Sequence, residues 1–156
     1  MDATQKELKS ILLESGANLV GFADVSDMAF HGEIYLTAVS IGISYDRGIL
    51  DNCETDVDAF ERHLQDTKDR MKRILEVCGD YLQKKGSTAW IPPISKNLPG
   101  LLSDFPHKLA ATKAGLGWIG KNALFVSAEL GCGLRLATVL TKSFMPCVNK
   151  IFHALR

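Results

Sequence analysis

A long apolar stripe between Asp56 and Lys85 constrains the fold of this 156-residue chain more than any other feature. Its apolar side chains recur every three or four positions among charged ones: Phe60, Leu64, Met71, Ile74, Leu75, Cys78, Tyr81 and Leu82. That spacing predicts one amphipathic helix, which ends at Gly86. A stripe of this width normally packs against a sheet of its own chain, and a partner-binding face is the alternative. The stripe therefore predicts a long helix that covers a sheet.

The segment 34–45 is the best candidate for a strand of that sheet, because it is rich in β-branched and aromatic residues and alternates at Val39, Ile41 and Ile43. Weaker patterns predict further elements, namely helices at 2–15 and 106–114 and strands at 17–22, 88–91, 123–127 and 134–141. The last two strands are expected to form a hairpin through the turn at 131–133. The predicted class is α+β, with a layered, mixed and largely antiparallel sheet flanked by helices.

Charge and cysteine spacing weigh against several roles. The 18 Lys and Arg residues balance 18 Asp and Glu residues, so no overall basic footprint favours nucleic-acid binding. The N-terminus lacks a signal-peptide pattern, and no apolar run reaches the roughly 18–20 residues of a membrane helix, so we expect a cytoplasmic protein without a membrane partner. No Cys-x-x-Cys pair is available for zinc, thiol redox chemistry or an iron–sulfur cluster among the four cysteines, Cys53, Cys78, Cys132 and Cys147.

The stretch 114–122, Ala-Gly-Leu-Gly-Trp-Ile-Gly-Lys-Asn, satisfies two glycine-rich phosphate motifs at once. Both motifs need a strand before the loop and a helix after it, whereas this stretch leaves a predicted helix and enters a predicted strand. Both phosphate-binding interpretations are therefore disfavoured. Either the glycine backbone approaches a bulky flat ligand beside Trp118, or the glycines form a tight helix-to-strand turn with Trp118 in the core. The candidate cofactor-binding residues are Gly115, Leu116, Gly117, Trp118, Ile119, Gly120, Lys121 and Asn122.

Two titratable residues before the glycines are candidate catalytic groups. His107 stands at the start of the predicted helix 106–114, where it could transfer a proton or simply pack. Asp104 is placed to cap that helix and is also a candidate proton donor. No pair of histidines or of His and Glu at ligand spacing predicts a metal site.

The run from His107 to Leu124, continued through Glu129-Leu130-Gly131 and 135–141, resembles the epoxyqueuosine reductase family and its relatives, which include reductive dehalogenases. The resemblance implies a cobalamin-binding domain at residues 1–141, related to nitroreductase-like folds, followed by an atypical tail at 142–156. It also implies that the glycine stretch and His107 line the pocket of a corrinoid. In full-length members a ferredoxin-like segment with two iron–sulfur clusters supplies electrons, and epoxyqueuosine reductase acts on a modified tRNA base.

The resemblance also indicates what this chain lacks. Leu101 occupies the position of the family's proposed proton-donating aspartate, which leaves Asp104 as the nearest carboxylate. The cluster-binding cysteines do not follow Thr141, so we expect no iron–sulfur cluster in this chain and an external, ferredoxin-like electron donor. The leading hypothesis is a cobalamin-dependent, oxidoreductase-like domain. The alternatives are a nitroreductase-like enzyme that uses FMN, and a non-enzymatic module that binds a corrinoid or a partner, with tRNA as a further implied partner.

Overall fold

The computed structural model describes residues 1–93 and 105–147. Its helices are α1 (Ala3–Glu14), α2 (Arg47–Asp51), α3 (Val57–Lys84) and α4 (His107–Lys113). Its strands are β1 (Leu19–Asp24), β2 (Ala29–Phe30), β3 (Glu33–Ile34), β4 (Thr37–Ser44), β5 (Trp118–Ile119), β6 (Phe125–Val126) and β7 (Leu134–Thr141). The α+β class is confirmed, and every strand pair in the described ranges is antiparallel.

The main sheet has the order β1-β4-β7, with β4 at its centre. All but the last residue of β4 is buried, as expected for a strand with a layer on each face. One face carries large apolar side chains such as Val39 and Ile41, and α1 and α3 pack on it. Met71 and Leu75 of α3 belong to the same core cluster. The prediction that the long stripe packs on its own sheet is therefore confirmed.

The opposite face of the sheet is more polar, and α4 covers it. Ala38 and Leu140 from this face pack with Ala110 of α4 and with the buried Phe105 just before it. Side chains alternate between the two faces along β4 and β7. Small or polar residues that lie between the apolar ones of the first face, such as Ser40 and Thr138, therefore point to this face. Ser40, directly across from Thr138, is fully buried here. This face supplies the floor of the candidate site.

The predicted hairpin between 123–127 and 134–141 is wrong. β6 pairs with β5, whereas β7 pairs along its whole length with β4. The eight-residue β7 has apolar side chains on both faces, which only the main sheet can bury. The predicted strand 88–91 shrinks to a single bridge between Trp90 and Leu140, because Pro92 and Pro93 offer no ladder donors.

Several shorter features were not predicted. The two-residue strands β2 and β3 form a small hairpin, and α2 follows the end of β4. The predicted helix 106–114 begins at His107, with Pro106 at the N-cap and no side-chain cap bond, while Asp104 lies outside the described residues. Across the described ranges, no helix is both long enough and apolar enough to span a bilayer.

Residues after β7 return to the core. Met145 is buried, and its N–H donates to Thr37 Oγ1 at 3.0 Å. The buried Gln5 donates from Nε2 to the carbonyl of Pro146 at 2.6 Å. The expected domain boundary at residue 141 stays a prediction, but residues up to Cys147 pack on the same domain.

Candidate functional site

The glycine turn, residues 115–122, begins as the C-terminal cap of α4. Gly115 has a φ of +72°, the left-handed conformation that glycine adopts without steric cost. Its N–H donates to the carbonyl of Thr112, and the N–H of Leu116 donates to that of Ala111. These two bonds form a Schellman motif, which satisfies carbonyls that the helix leaves unpaired. Leu116 then packs over Gly21 of β1. The geometry at the end of α4 thus accounts for glycine at position 115.

The second glycine allows two backbones to approach closely. Gly117 is buried, and a Cβ on it would overlap the carbonyl oxygen of Val126 and lie 2.8 Å from Cζ of Phe125. No side chain larger than hydrogen fits between β5 and β6 at this point. The segment runs from α4 into β5, so the sequence argument against both phosphate motifs is confirmed.

The rest of the turn lies on the surface. Trp118 is half-buried rather than part of the core, which corrects that part of the tight-turn alternative. Ile119 is 44% exposed, and Lys121 is also exposed. Asn122 Oδ1 accepts the N–H of Leu124 at 3.2 Å and so shapes the return into β6. The ligand-binding role predicted for residues 115–122 stays a prediction.

A cleft of about 420 Å³ lies at the opposite end of α4, between α3, α4 and the start of β7. It is lined by Tyr45, Leu64, Lys68, His107, Lys108, Leu124, Phe125, Cys132, Leu134, Arg135 and Leu136. Its volume falls within the range of small-molecule sites, roughly 300–1,000 Å³. Among the predicted site residues in the described ranges, His107 alone lines it, and the glycine turn contributes only through Leu124 and Phe125, which follow it.

His107 is held tightly at the back of the cleft and is only 7% exposed. Its Nδ1 lies 3.0 Å from Thr138 Oγ1, and its Nε2 lies 3.4 Å from the carbonyl oxygen of Pro93. Because a carbonyl only accepts, Nε2 carries the hydrogen and the Thr138 hydroxyl donates to Nδ1. The ring of Phe105 stands edge-on to the imidazole at 5.1 Å. These contacts fix both the orientation and the tautomer of His107.

Burial lowers the pKa of His107 below its usual value of 6.5. The hydrogen bond to Pro93 opposes this shift, whereas the positive charge of Arg135 adds to it. The imidazole is therefore neutral at pH 7. In this state it accepts or donates single hydrogen bonds but carries no spare proton for an acid.

This shift predicts a pH-dependent stability. Below pH 6.5 the unfolded chain protonates this histidine while the folded chain does not, so the free energy of unfolding falls as the pH falls and is fully retained above pH 6.5. The slope of the loss is at most about 1.4 kcal/mol per pH unit, and the loss ends once the pH falls below the folded-state pKa, where both states bind the proton. Urea denaturation between pH 7.5 and 5.5 measures it. His107→Gln keeps a hydrogen-bonding side chain and should flatten this slope, and equal slopes in the two proteins would contradict it.

Three cationic side chains line the same cleft as His107. Lys108 follows it on α4 and donates from Nζ to the carbonyl of Ala123 at 2.6 Å, which ties α4 to the turn before β6. Lys68 approaches from α3, and Arg135 from β7. Nε of Arg135 is buried and has no hydrogen-bond partner among the described residues. An unsatisfied buried donor costs about 1–3 kcal/mol, so this position favours an acceptor.

Sequence reasoning missed these cations for identifiable reasons. Arg135 is the one charged residue of β7, and a charge in a largely buried strand is a usable signal. Lys68 is one charge among many on α3, so nothing in its helix distinguishes it. Leu64 belongs to the long apolar stripe yet lines the cleft. Some residues of the stripe therefore pack in the core whereas Leu64 lines the cleft, and hydrophobic periodicity does not distinguish the two roles.

The cysteines of the described residues are unpaired, and the potential metal ligands there are not clustered. No group of three or more His, Cys, Asp or Glu side chains in 1–93 and 105–147 is arranged to hold a metal ion. All four cysteines are free thiols. Burial raises the pKa of Cys78 to about 12, so this thiol is inert at neutral pH. Cys132 is exposed at the rim of the cleft.

No protein-family model matches the sequence, and no curated protein sequence matches it significantly. Solved structures do match. An epoxyqueuosine reductase bound to a tRNA-Tyr stem loop covers 92% of this chain with a TM-score of 0.61 and 19% identity. A reductive dehalogenase that performs B12-dependent dehalogenation covers 96% of this chain with a TM-score of 0.67 and 17% identity. The fold is that of epoxyqueuosine reductases and reductive dehalogenases.

A third similar structure is the B12-trafficking protein CblC of C. elegans, which covers 92% of this chain at 10% identity and a TM-score of 0.53. The resemblance predicted from the sequence is thus confirmed at the level of the fold. The chain spans about half the length of the epoxyqueuosine reductase and about a fifth of the dehalogenase, at 47% and 21% of those chains. It spans 72% of the trafficking protein.

Proposed function

We propose that this protein binds a corrinoid in the cleft and serves as a cobalamin-dependent, oxidoreductase-like domain. One observation carries the proposal: the fold that surrounds this cleft recurs in a B12-dependent dehalogenase and in a B12-trafficking protein. The same fold in a tRNA-bound reductase supports the oxidoreductase assignment. Fold alone does not fix function, so the residues of the cleft must also suit the ligand.

The composition of the cleft suits part of a corrinoid. A corrinoid presents flat, apolar ring surface together with amide side chains and, in cobalamin, one phosphate. Aliphatic and aromatic side chains supply apolar surface for the ring: Tyr45, Leu64, Leu124, Phe125, Leu134 and Leu136. Lys68, Lys108 and Arg135 supply polar contacts. A complete corrinoid is larger than 420 Å³, so the described residues would cover one portion of it.

The protein's own residues would orient the ligand and keep water away from it. Phe125 begins β6 and Leu124 directly precedes it, and the position of β6 depends on the close approach of Gly117. His107, neutral at pH 7 and bonded through its two ring nitrogens to Thr138 and Pro93, would hold the back wall of the cleft in place, and Asp104, outside the described residues, remains the proposed proton donor. A bound corrinoid would supply the redox chemistry at its cobalt. The electrons for that chemistry would come from a ferredoxin-like donor.

Two ligands implied at the sequence level are left out of the proposal. FMN gains no support from the similar structures described here. One similar structure, of an epoxyqueuosine reductase, contains a tRNA stem loop, but the balance of 18 cationic against 18 acidic residues in this chain provides no overall basic surface for tRNA.

The visible spectrum after desalting tests the proposal. We expect purified protein incubated with cobalamin to retain a corrinoid spectrum, and the same protein incubated with FMN to emerge colourless. Loss of colour with both ligands would overturn corrinoid binding. Retention of FMN alone would replace it with a flavin-dependent function.

A matched pair of variants locates the ligand. Leu124 is 45% exposed and lines the cleft, whereas Ile119 is 44% exposed on the glycine turn and does not. Leu124→Gln should weaken cobalamin binding by about tenfold, because one apolar contact is worth roughly 1.5–3 kcal/mol when fully buried. Ile119→Gln should leave the affinity unchanged. The reverse result would move the site to the glycine turn.

A further inference from the structure

Three cationic side chains converge on the cleft from three separate elements: Lys68 of α3, Lys108 of α4 and Arg135 of β7. No carboxylate occurs among the described residues that line it. We infer that the cleft is a binding site for a phosphate group carried by a small organic molecule.

The charges of these three residues are uncompensated within residues 1–93 and 105–147. The three salt bridges in those ranges use other lysines, Lys85, Lys113 and Lys142. Lys108 contacts a neutral carbonyl, which fixes its position without neutralising it. Arg135 keeps a buried Nε with no acceptor. Because the chain as a whole has zero net charge, an anion would bind most favourably where cationic side chains are concentrated, as they are in this cleft.

The arrangement favours a phosphate over a carboxylate. A phosphate carries more charge and more acceptor oxygens, so it can meet a guanidinium and two ammonium groups together. The organic portion is required by the remaining lining, which is mostly apolar, with Leu134 and Leu136 on either side of Arg135. Inorganic phosphate alone would leave that surface unused.

This inference concerns the proposed corrinoid cleft but holds without a corrinoid. The phosphate could belong to the nucleotide tail of cobalamin, in which case the inference rests on the proposed function, or to a free phosphorylated metabolite. The chemistry of recognition is the same for both sources. Two titrations separate them.

The first titration uses AMP and adenosine as probes at low ionic strength, with calorimetric detection. We expect AMP to bind at least about tenfold more tightly than adenosine. The phosphate of AMP adds charge-assisted hydrogen bonds that adenosine cannot form, and one such bond is enough for a gain of this order in affinity. Arg135→Gln should remove that advantage, and Lys68→Ala should reduce it several-fold. Lys72→Ala is the matched control, because Lys72 is exposed one turn further along α3 and does not line the cleft. It should bind AMP like the wild type.

The second titration compares cobalamin with cobinamide, a corrinoid that lacks the nucleotide tail and its phosphate. If Arg135→Gln lowers the affinity for cobalamin to that for cobinamide, the corrinoid tail supplies the phosphate. If the variant loses AMP and not cobalamin, a free phosphorylated ligand is the source. If no corrinoid binds while AMP does, the proposed function fails and the phosphate site stands.

Two outcomes would overturn the inference. The first is that AMP binds no better than adenosine and cobalamin no better than cobinamide. The second is that Lys72→Ala weakens AMP binding as much as Lys68→Ala, which would reveal only general charge attraction. The lysine pair decides the question even if Arg135→Gln fails to fold, since both lysines are exposed.

Discussion

Gly117→Ala should destabilise the protein by about 3 kcal/mol, at the upper end of the usual cost of overpacking. The new methyl group would overlap the carbonyl oxygen of Val126, and a backbone atom in a strand cannot move aside as a side-chain tip can. Phe125 Cζ, 2.8 Å from the same point, blocks a small shift in another direction. Thermal unfolding measures the effect, at about 2–4 °C for each kcal/mol in a domain of this size.

Gly120→Ala is the matched control within the same turn. A Cβ at Gly120 would lie 3.0 Å from Oδ1 of Asn122, and this contact needs a shift of only a few tenths of an ångström in an exposed side chain rather than in backbone. We expect a change within about 0.5 kcal/mol. Equal losses in the two variants would show that Gly117 has no special packing role. If Gly117→Ala folds normally and loses only corrinoid binding, its backbone contacts the ligand and the contact with β6 is not what selects glycine.

Ile41→Ala should lower the free energy of unfolding by about 2–5 kcal/mol, the usual range for large-to-small changes in a core. Ile41 is fully buried at the centre of β4, with α1 and α3 above it. β4 is hydrogen-bonded to β1 on one side and to β7 on the other, so the sheet cannot collapse into the cavity that the truncation leaves. Urea denaturation gives the difference directly.

The same substitution at Ile34 serves as the control. Ile34 lies in β3 and is 58% exposed, so its truncation removes little buried surface. Ile34→Ala should change stability by less than about 0.5 kcal/mol. A loss at Ile41 no larger than at Ile34 would contradict the placement of the core on this face of the sheet.

Periodicity in the sequence predicted the long elements well. The helix predicted at 56–85 is α3 at Val57–Lys84, and most of the strand predicted at 34–45 is β4 at Thr37–Ser44. Both have enough repeats for hydrophobic spacing to exceed local noise. The two-residue strands carry no such signal, and the pairing of β6 with β5 depends on a contact at Gly117 that spacing does not encode.

The candidate site was predicted only in part. The sequence pointed to His107 and the glycine turn together, because they are adjacent in the chain. In the fold they stand at opposite ends of α4, and only His107 reaches the cleft. Its partners there come from distant positions, Lys68 from α3 and Arg135 from β7. No local pattern relates residues that far apart.

The sequence by itself determined the α+β class, the long helix over a sheet and the fold resemblance, since each depends on local spacing or on a contiguous motif. The tertiary structure decided which strand joins which, why Gly117 must be glycine, and where charge accumulates. Its physical basis is long-range packing: β7 enters beside β4 to bury both of its faces, and this brings Arg135 next to His107. A chain of zero net charge thereby acquires one cationic cleft-lining cluster in its described part.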